Sequence, residues 1–472
     1  MYKLSVACIF FAVCNLLSME STGQTVPIAT KLIGHYNSEN YDSLYMMLAA
    51  DFQKEFSRKD HHEFYKTNIR PYGNALSVKP ISAENGIDNY KVTFEKGDLK
   101  LSLLMGRNNL IQSLQWLPYQ AEEIIKRDAS TVNTNNPHHS GLQLLIDSVT
   151  RKFFENPVNC GLSIGIIQDG KTETYFYGET KRGTGILPDI HTQYEIGSIT
   201  KTFTGLLLAK AVSAGKLSLD DEIRKFLPEG LTQPEMTGKP VLVKHLASHC
   251  SGLPANPTNL TFQKDYDPND PFRNYDSGLF IEFLKNSRPD TIPGTVFTYS
   301  NTGVGLLGMI LANIYNKPFE ELCVELILKP FSMKESGFNT NDSAITQLAT
   351  GYRASNGKAT PYWNWKYLAS AGGLKSSLND MILYLNNQIN STSKEIALSQ
   401  QPVFTDSQQA VGLNWFIVPY KNMNFIFHDG RTSGFSSVCG FVKERKTGIV
   451  VLNNSGIDCS ELAFAIMREL LK

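Results

Sequence analysis

The sequence predicts two domains: a small α+β unit, then a larger α/β unit in which an antiparallel sheet is flanked by helices and interrupted by an inserted helical region. Three observations carry this. At 472 residues the chain exceeds one ordinary domain. A polar, unpatterned run containing a proline, Ser130 to Ser140, separates two differently patterned segments and reads as a linker. In the second segment, strand-like runs stand at both ends with helical patterns between them, so the first and last strands are expected to share one sheet. The resulting boundaries are 1–23 for a leader, 24–125 for the small domain, 126–140 for the linker and 141–472 for the large domain.

The leader reads as a secretory signal. Lys3 supplies the positive start, Leu4 to Met19 a short apolar run, and Ser21-Thr22-Gly23 small residues for cleavage before Gln24. The alternative is a retained N-terminal anchor, although the run is short for a membrane span. Cleavage would remove Cys8 and Cys14 and leave an exported chain, periplasmic or extracellular, with no transmembrane span.

In the small domain, Leu32, Tyr36, Leu44, Met47, Leu48 and Phe52 give helical spacing over Ile28 to Phe56, read as one long helix. After Tyr72 the pattern turns to strands: Tyr90–Phe94, Leu99–Met105 and Leu110–Leu117. The turns are placed at Gly97-Asp98 and Arg107-Asn108-Asn109. A helix against a curled antiparallel sheet resembles the small cone-shaped folds that bind ligands or act as spacers. No polar cluster there suggests chemistry, so a spacer, or a module binding a ligand or cell-envelope partner, is expected.

In the large domain Leu142–Phe154 reads as an amphipathic helix. Gly161–Gln168 and Thr172–Gly178 follow as a hairpin through Asp169-Gly170. At the far end, Leu413–Val418, Phe425–His428, Val438–Lys443 and Gly448–Asn453 read as strands, and Cys459–Lys472 as a closing helix.

Lysine plus arginine equals aspartate plus glutamate at 45 each, which leaves no net field to attract nucleic acid. Cys160, Cys250, Cys323, Cys439 and Cys459 are scattered with neither zinc nor disulfide-framework spacing, one bridge remaining possible in an oxidising compartment. The adjacent pairs His61-His62 and His138-His139 project apart and are not ligand pairs. No metal or organic cofactor is expected.

Serine acyl transfer needs an activated hydroxyl, a proton relay and oxyanion donors. Ser-x-x-Lys meets the first need on a helix, where residues three apart share a face. It occurs at Ser198, Ser213, Ser355 and Ser391, and only Ser198 leads into a strongly apolar stretch, Thr202–Ala211. Burial there disfavours a charged Lys201 and makes it available as a base. Tyr-x-Asn recurs at Tyr72, Tyr299, Tyr362, Tyr384 and Tyr420; Tyr299-Ser300-Asn301 stands out between Pro293-Gly294 and the glycine-punctuated apolar stretch Gly303–Ile314. His428-Asp429-Gly430 ends an apolar strand, and Gly430 lets a bound carbonyl approach the backbone.

With Lys216–Asp221, Lys244–Pro254 and Ala371-Gly372-Gly373-Leu374, these blocks resemble the serine β-lactamase and penicillin-binding-protein family, in its branch of class C β-lactamases, DD-peptidases and esterases. The resemblance runs from about Gly141 to the C-terminus in family order. It implies a β-lactamase/transpeptidase-like fold, Ser198 as nucleophile, Lys201 as acylation base and Tyr299 as proton relay. Asn301 would bind substrate and Lys201, and the backbone N–H groups of Ser198 and Arg431 would form the oxyanion hole. His428 stands where many relatives have the lysine of Lys-Thr-Gly, a less dependable cation for a substrate carboxylate. The expected activity is hydrolysis of an ester or small amide or peptide through an acyl-enzyme. A DD-peptidase or β-lactamase is the alternative, and a non-catalytic penicillin-recognising scaffold the second.

Five other patterns are weighed against simpler readings. Gly161-Leu162-Ser163-Ile164-Gly165 matches a nucleophile elbow but lies in a strand reading, where the elbow needs a strand, a sharp turn and a helix. Gly303-Val304-Gly305-Leu306-Leu307-Gly308 matches a dinucleotide pattern without a β-α-β succession and reads as close helix packing. Asp220-Asp221 reads as the acidic first turn of a short helix, and His249 and Ser251 as structural. Tyr362, Trp363 and Trp365 either wall the pocket or pack a loop onto the domain.

Overall fold

The structure, a computed structural model, describes residues 22–84, 87–105, 110–119, 126–231, 234–267, 269–407 and 409–472. The run Lys3–Met19 and the turn expected at Arg107–Asn109 lie outside them. The chain divides into two compact units, Met1–Glu123 and Ile124–Lys472.

The first unit holds α1 (Thr22–Asn37), α2 (Tyr41–Met46), α3 (Ala50–Glu55) and α4 (Arg58–Phe64), then β1 (Ala75–Glu84), β2 (Ile87–Phe94), β3 (Gly97–Met105) and β4 (Ile111–Pro118). The strands form one antiparallel sheet in sequence order. Its core is aromatic: Tyr36 meets Phe94 edge-on at 5.6 Å, and Trp116 donates to the Tyr65 hydroxyl at 3.3 Å.

Three expectations need correction. The helix read over Ile28–Phe56 is broken twice. Glu39 takes φ +53, and Asn40 caps α2 by accepting from Ser43 N; at Leu48 the chain pairs with Ile111 instead of continuing the helix. Helical spacing survives both breaks because each piece still buries its apolar side chains in the same core. β1 was not expected as a strand. It is an edge strand with exposed Leu76 and Ile81 and a register shift at Pro80, which blurs the alternation. The hairpin turn is Glu95-Lys96; Gly97 and Asp98 already belong to β3.

Early in the second unit, in the segment read as a linker, residues 133–136 run along the outer edge of the hairpin that follows. Asn135 N donates to Phe176 O, and the buried Asn136 amide donates to the Tyr177 hydroxyl at 2.7 Å. Then come α5 (Gly141–Phe154), β5 (Gly161–Gln168), β6 (Lys171–Gly178) and β7 (Gln193–Glu195), with Asp169-Gly170 as the β5–β6 turn. The inserted region carries α6 (Thr200–Ser213), β8 (Glu235–Met236), β9 (Lys239–Pro240), α7 (Val243–Ala247), α8 (Ser277–Asn286), α9 (Asn301–Tyr315) and α10 (Phe319–Cys323). After β10 (Lys375–Ser377), α11 (Leu378–Asn390) and α12 (Lys394–Ser399) come β11 (Phe404–Thr405), β12 (Ala410–Val411), β13 (Phe416–Tyr420), β14 (Met423–Arg431), β15 (Ser436–Val442), β16 (Thr447–Asn453) and α13 (Ser460–Leu470).

Among the described residues the main sheet runs β11-β12-β13-β14-β15-β16-β5-β6, so the first strands join the last as the two strand groups predicted. Phe464 of α13 packs on Phe425 and Phe427 on one face. On the other, α11 lies so close that a Cβ at Gly165 or Gly448 would press on its leucines and isoleucines. Helix α6 is buried nearly all round, from Thr200 to Ala209 and at Ala211, which marks it as a central helix rather than a surface one. No helix of the described residues is long and apolar enough to cross a membrane.

Candidate active site

Ser198 lies in a 3₁₀ turn, Gly197–Ile199, that leads directly into α6. The turn exposes part of the serine while the helix carries Lys201 inside, fully buried. Lys201 Nζ reaches Ser198 Oγ at 2.9 Å, Asn301 Oδ1 at 2.7 Å and the carbonyl of Ala371 at 2.6 Å. Two of these partners are oxygens that only accept. A neutral lysine therefore spends both N–H groups on Asn301 and Ala371 and turns its lone pair to the Ser198 hydroxyl, the one partner able to donate. Burial drives the lysine well below its ordinary range, with Asp429 opposing.

Asn301 is the first residue of α9, and its own amide is held by Asn256 Oδ1 at 2.9 Å. Tyr299 precedes the Ser300 cap; its ring lies 4.8 Å from Lys201 Nζ, and the neighbouring Ser198 hydroxyl partly offsets the effect of burial on its phenol. Burial raises its pKa, so the group is a neutral phenol. Behind it the buried His249 ring sits 4.4 Å away and accepts from Ser300 N at 3.2 Å, which agrees with the structural reading of His249.

His428, Gly430 and Arg431 come from the end of β14. Pairing with β13 covers Met423–Phe427 and leaves His428–Arg431 beside the serine turn. His428 Nδ1 lies 2.6 Å from the Asn414 carbonyl, which only accepts, so Nδ1 carries the proton. Nε2 then faces the Tyr299 hydroxyl at 3.4 Å as an acceptor. Burial, then Lys201, push this histidine down to about 3. It is neutral, and the carboxylate-binding cation considered for this position is missing. The Arg431 guanidinium pairs with Asp458 instead.

Two glycines let the backbones meet. Gly197 has φ +51, and a Cβ there would collide with the backbone of Arg431; a Cβ on Gly430 would collide with the Ile196 carbonyl and Ser437 Oγ. The N–H groups of Ser198 and Arg431 thus belong to two segments in contact.

Apart from His249, the patterns set aside lie outside this cluster. Ser163 is buried inside β5 with its hydroxyl 2.8 Å from the Tyr194 hydroxyl. Gly305 and Gly308 of α9 meet Leu368 and Ser370 closely, which is packing. Asp220 and Asp221 pair with Lys244 and Lys225 before a 3₁₀ turn, Ile223–Phe226, rather than opening an α-helix. Trp363 and Trp365 are buried, Trp365 stacked on Phe272 at 3.9 Å, so the loop-packing reading holds for them. Sequence reasoning did not find Asn256, Asn414 or the Ala371 carbonyl as site partners. Ala371 belongs to the Ala371-Gly372-Gly373-Leu374 block, but a carbonyl has no residue-type signature.

A family model described as Beta-lactamase matches residues 147–469, and one described as Protein of unknown function (DUF3887) matches 29–114. A β-lactamase of Providencia stuartii is 32% identical over 370 residues, covering 69% of this chain and 90% of that protein. The D-alanyl-D-alanine-carboxypeptidase/endopeptidase AmpH of Escherichia coli K12 is 24% identical over 335 residues, covering 65% and 83%. Among solved structures, the octameric penicillin-binding protein homologue from Pyrococcus abyssi is similar at TM-score 0.62 and 28% identity, over 70% of this chain and 78% of that one. A β-lactamase/D-alanine carboxypeptidase from Pseudomonas syringae is similar in fold at TM-score 0.62 and 24% identity, over 70% and 99%.

Proposed function

Because the chain belongs to the β-lactamase family of serine hydrolases, we propose that it hydrolyses an ester, or a small amide or peptide, through an acyl-Ser198 intermediate. Lys201 accepts the Ser198 proton as Oγ bonds to the substrate carbonyl carbon. The resulting oxyanion lies between the Ser198 and Arg431 N–H groups. Collapse breaks the bond to the leaving group, which takes its proton through the Tyr299 hydroxyl. Water then attacks the acyl carbon, its proton returns along the same relay, and the acid departs with Ser198 restored.

The observation that carries this reading is the Lys201 cluster: three neighbours, of which only Ser198 can donate. The neutral His428 favours substrates with no carboxylate beside the scissile bond. A second reading, a DD-peptidase or β-lactamase acting on cell-wall peptide or β-lactam, is favoured by what the relatives are named. For the rest of the chain we propose an export signal over 1–23 and a spacer or partner-binding role for the small N-terminal domain.

The test compares turnover of short-chain nitrophenyl esters with turnover of a penicillin. Rapid ester hydrolysis, lost in Ser198→Ala, with slow or absent penicillin turnover is the expected result. Efficient penicillin turnover would move the assignment to the second reading, and no turnover or labelling with either would overturn both.

A further inference from the structure

Glu195 is a carboxylate almost wholly removed from solvent, at 3% exposure, three residues before Ser198. Its Oε1 accepts from Trp363 N at 2.7 Å, and its Oε2 accepts from Thr432 Oγ1 at 2.7 Å. Lys375, opposite it in the β7–β10 pair, brings Nζ to 3.8 Å while donating to the carbonyls of Phe338 and Trp363. A buried ion pair is poor value for stability alone, since well-packed apolar residues often serve as well or better. What this one does is geometric. Thr432 directly follows Arg431, so the Glu195–Thr432 bond spans from the residues leading into the nucleophile to those carrying the second oxyanion donor, 237 residues away in sequence.

The neighbouring contacts show why such a brace matters. Between Ile196-Gly197 and Gly430-Arg431 the two backbones touch with no side chain between them. A second side-chain hydrogen bond beside this seam runs from Ser437 Oγ to the Ile196 carbonyl, at 2.9 Å. The two bonds hold the adjacent residues Glu195 and Ile196, one to Thr432 beyond Arg431 and the other to Ser437 of β15, the strand partner of Gly430.

We propose that Glu195, by bonding Thr432 across the seam, is a positioning residue that sets the spacing between the Ser198 and Arg431 oxyanion donors. It touches no reacting atom and acts through the Arg431 backbone. This rests on the acyl-enzyme reading above.

The test uses the full chain. Thr432→Val keeps shape and removes only the crossing hydroxyl, leaving Glu195 with Trp363 and Lys375; Thr432→Ser keeps the hydroxyl. The readouts are kcat and KM on a nitrophenyl ester, and the affinity of a boronic acid that becomes tetrahedral on Ser198. Thr432→Val is expected to lower kcat on the order of 10- to 100-fold, as a displaced catalytic donor does, with KM little changed. Boronate affinity should fall in parallel, and Thr432→Ser should recover both. Glu195→Gln provides a second handle: Oε1 can still face Trp363 N, and its amide can donate to a rotated Thr432 hydroxyl, so it should fall less than Thr432→Val. A merely structural brace would lower thermal stability and leave kcat and boronate affinity within about twofold in both folded variants, which overturns the proposal. A wild-type protein that neither turns over ester nor binds boronate would instead bring down the hydrolase reading, and this proposal with it.

Discussion

Gly430→Ala is the smallest change that should separate the two halves of the site. Gly430 is extended within β14, so alanine meets no backbone strain of its own there. The obstacle is contact: the new Cβ would overlap the Ile196 carbonyl and crowd Ser437 Oγ. The carbonyl is backbone and cannot rotate away, so the seam must open by a distance on the order of an ångström. Overpacking of this kind costs about 1–3 kcal/mol. Loss of the Ser437–Ile196 hydrogen bond adds about 1 kcal/mol. The catalytic loss should be larger in proportion, because one oxyanion donor is displaced: roughly 10²- to 10³-fold in kcat. Gly170→Ala is the control. It sits at φ +77 in an open turn with nothing nearby, so it should cost about 1 kcal/mol of stability and no activity. The assay is ester hydrolysis alongside thermal unfolding for both variants. A Gly430→Ala protein that is folded and hydrolyses ester within a fewfold of wild type would refute the seam argument.

Three further outcomes follow from buried groups. If neutral Lys201 is the base, kcat/KM on an ester should rise with pH through an ionisation well below the ordinary lysine range, and Lys201→Arg, which stays charged, should lose on the order of 10³-fold; a flat profile would contradict this. Cys160, Cys250, Cys323, Cys439 and Cys459 are buried and unpaired, with Cys160 pushed up to about 11 and Cys459 to about 12, so a thiol reagent should modify none of them until the protein is unfolded. His61 is buried among Tyr45, Phe56 and Tyr65, and burial, then His62, lower it from 6.5 to about 4. Below pH 6.5 the unfolded chain binds the proton and the folded one does not. Stability is therefore lost as pH falls toward 4, by roughly 3 kcal/mol at most. Hydrogen exchange over β2 and β3, corrected for intrinsic rate, should show this loss in wild type and not in His61→Phe.

What the sequence made legible was whatever depends on local pattern. The Asp169-Gly170 hairpin, the apolar run of α6 and the strand groups at both ends each have a period or a turn signature. Their conjunction with Ser198, Lys201, Tyr299 and His428 located the cluster that the fold brings together. The broken N-terminal helix was hidden because the pieces keep one apolar face while tertiary pairing at Leu48 interrupts the backbone. β1 was hidden because an edge strand with Pro80 loses strict alternation. In the site, partners acting through main-chain atoms left no trace: the Ala371 carbonyl on Lys201 and the Asn414 carbonyl that fixes the tautomer of His428. Nor does sequence reveal that Glu195 meets Thr432, since that contact exists only once the inserted region and the last strands have folded onto the same turn.

Intact-mass spectrometry after exposure to a fluorophosphonate, with Ser198→Ala alongside, asks whether Ser198 is reactive. One covalent adduct is expected on the wild type and none on the variant. An adduct that persists in Ser198→Ala, or a wild type that hydrolyses ester while remaining unlabelled, would contradict it.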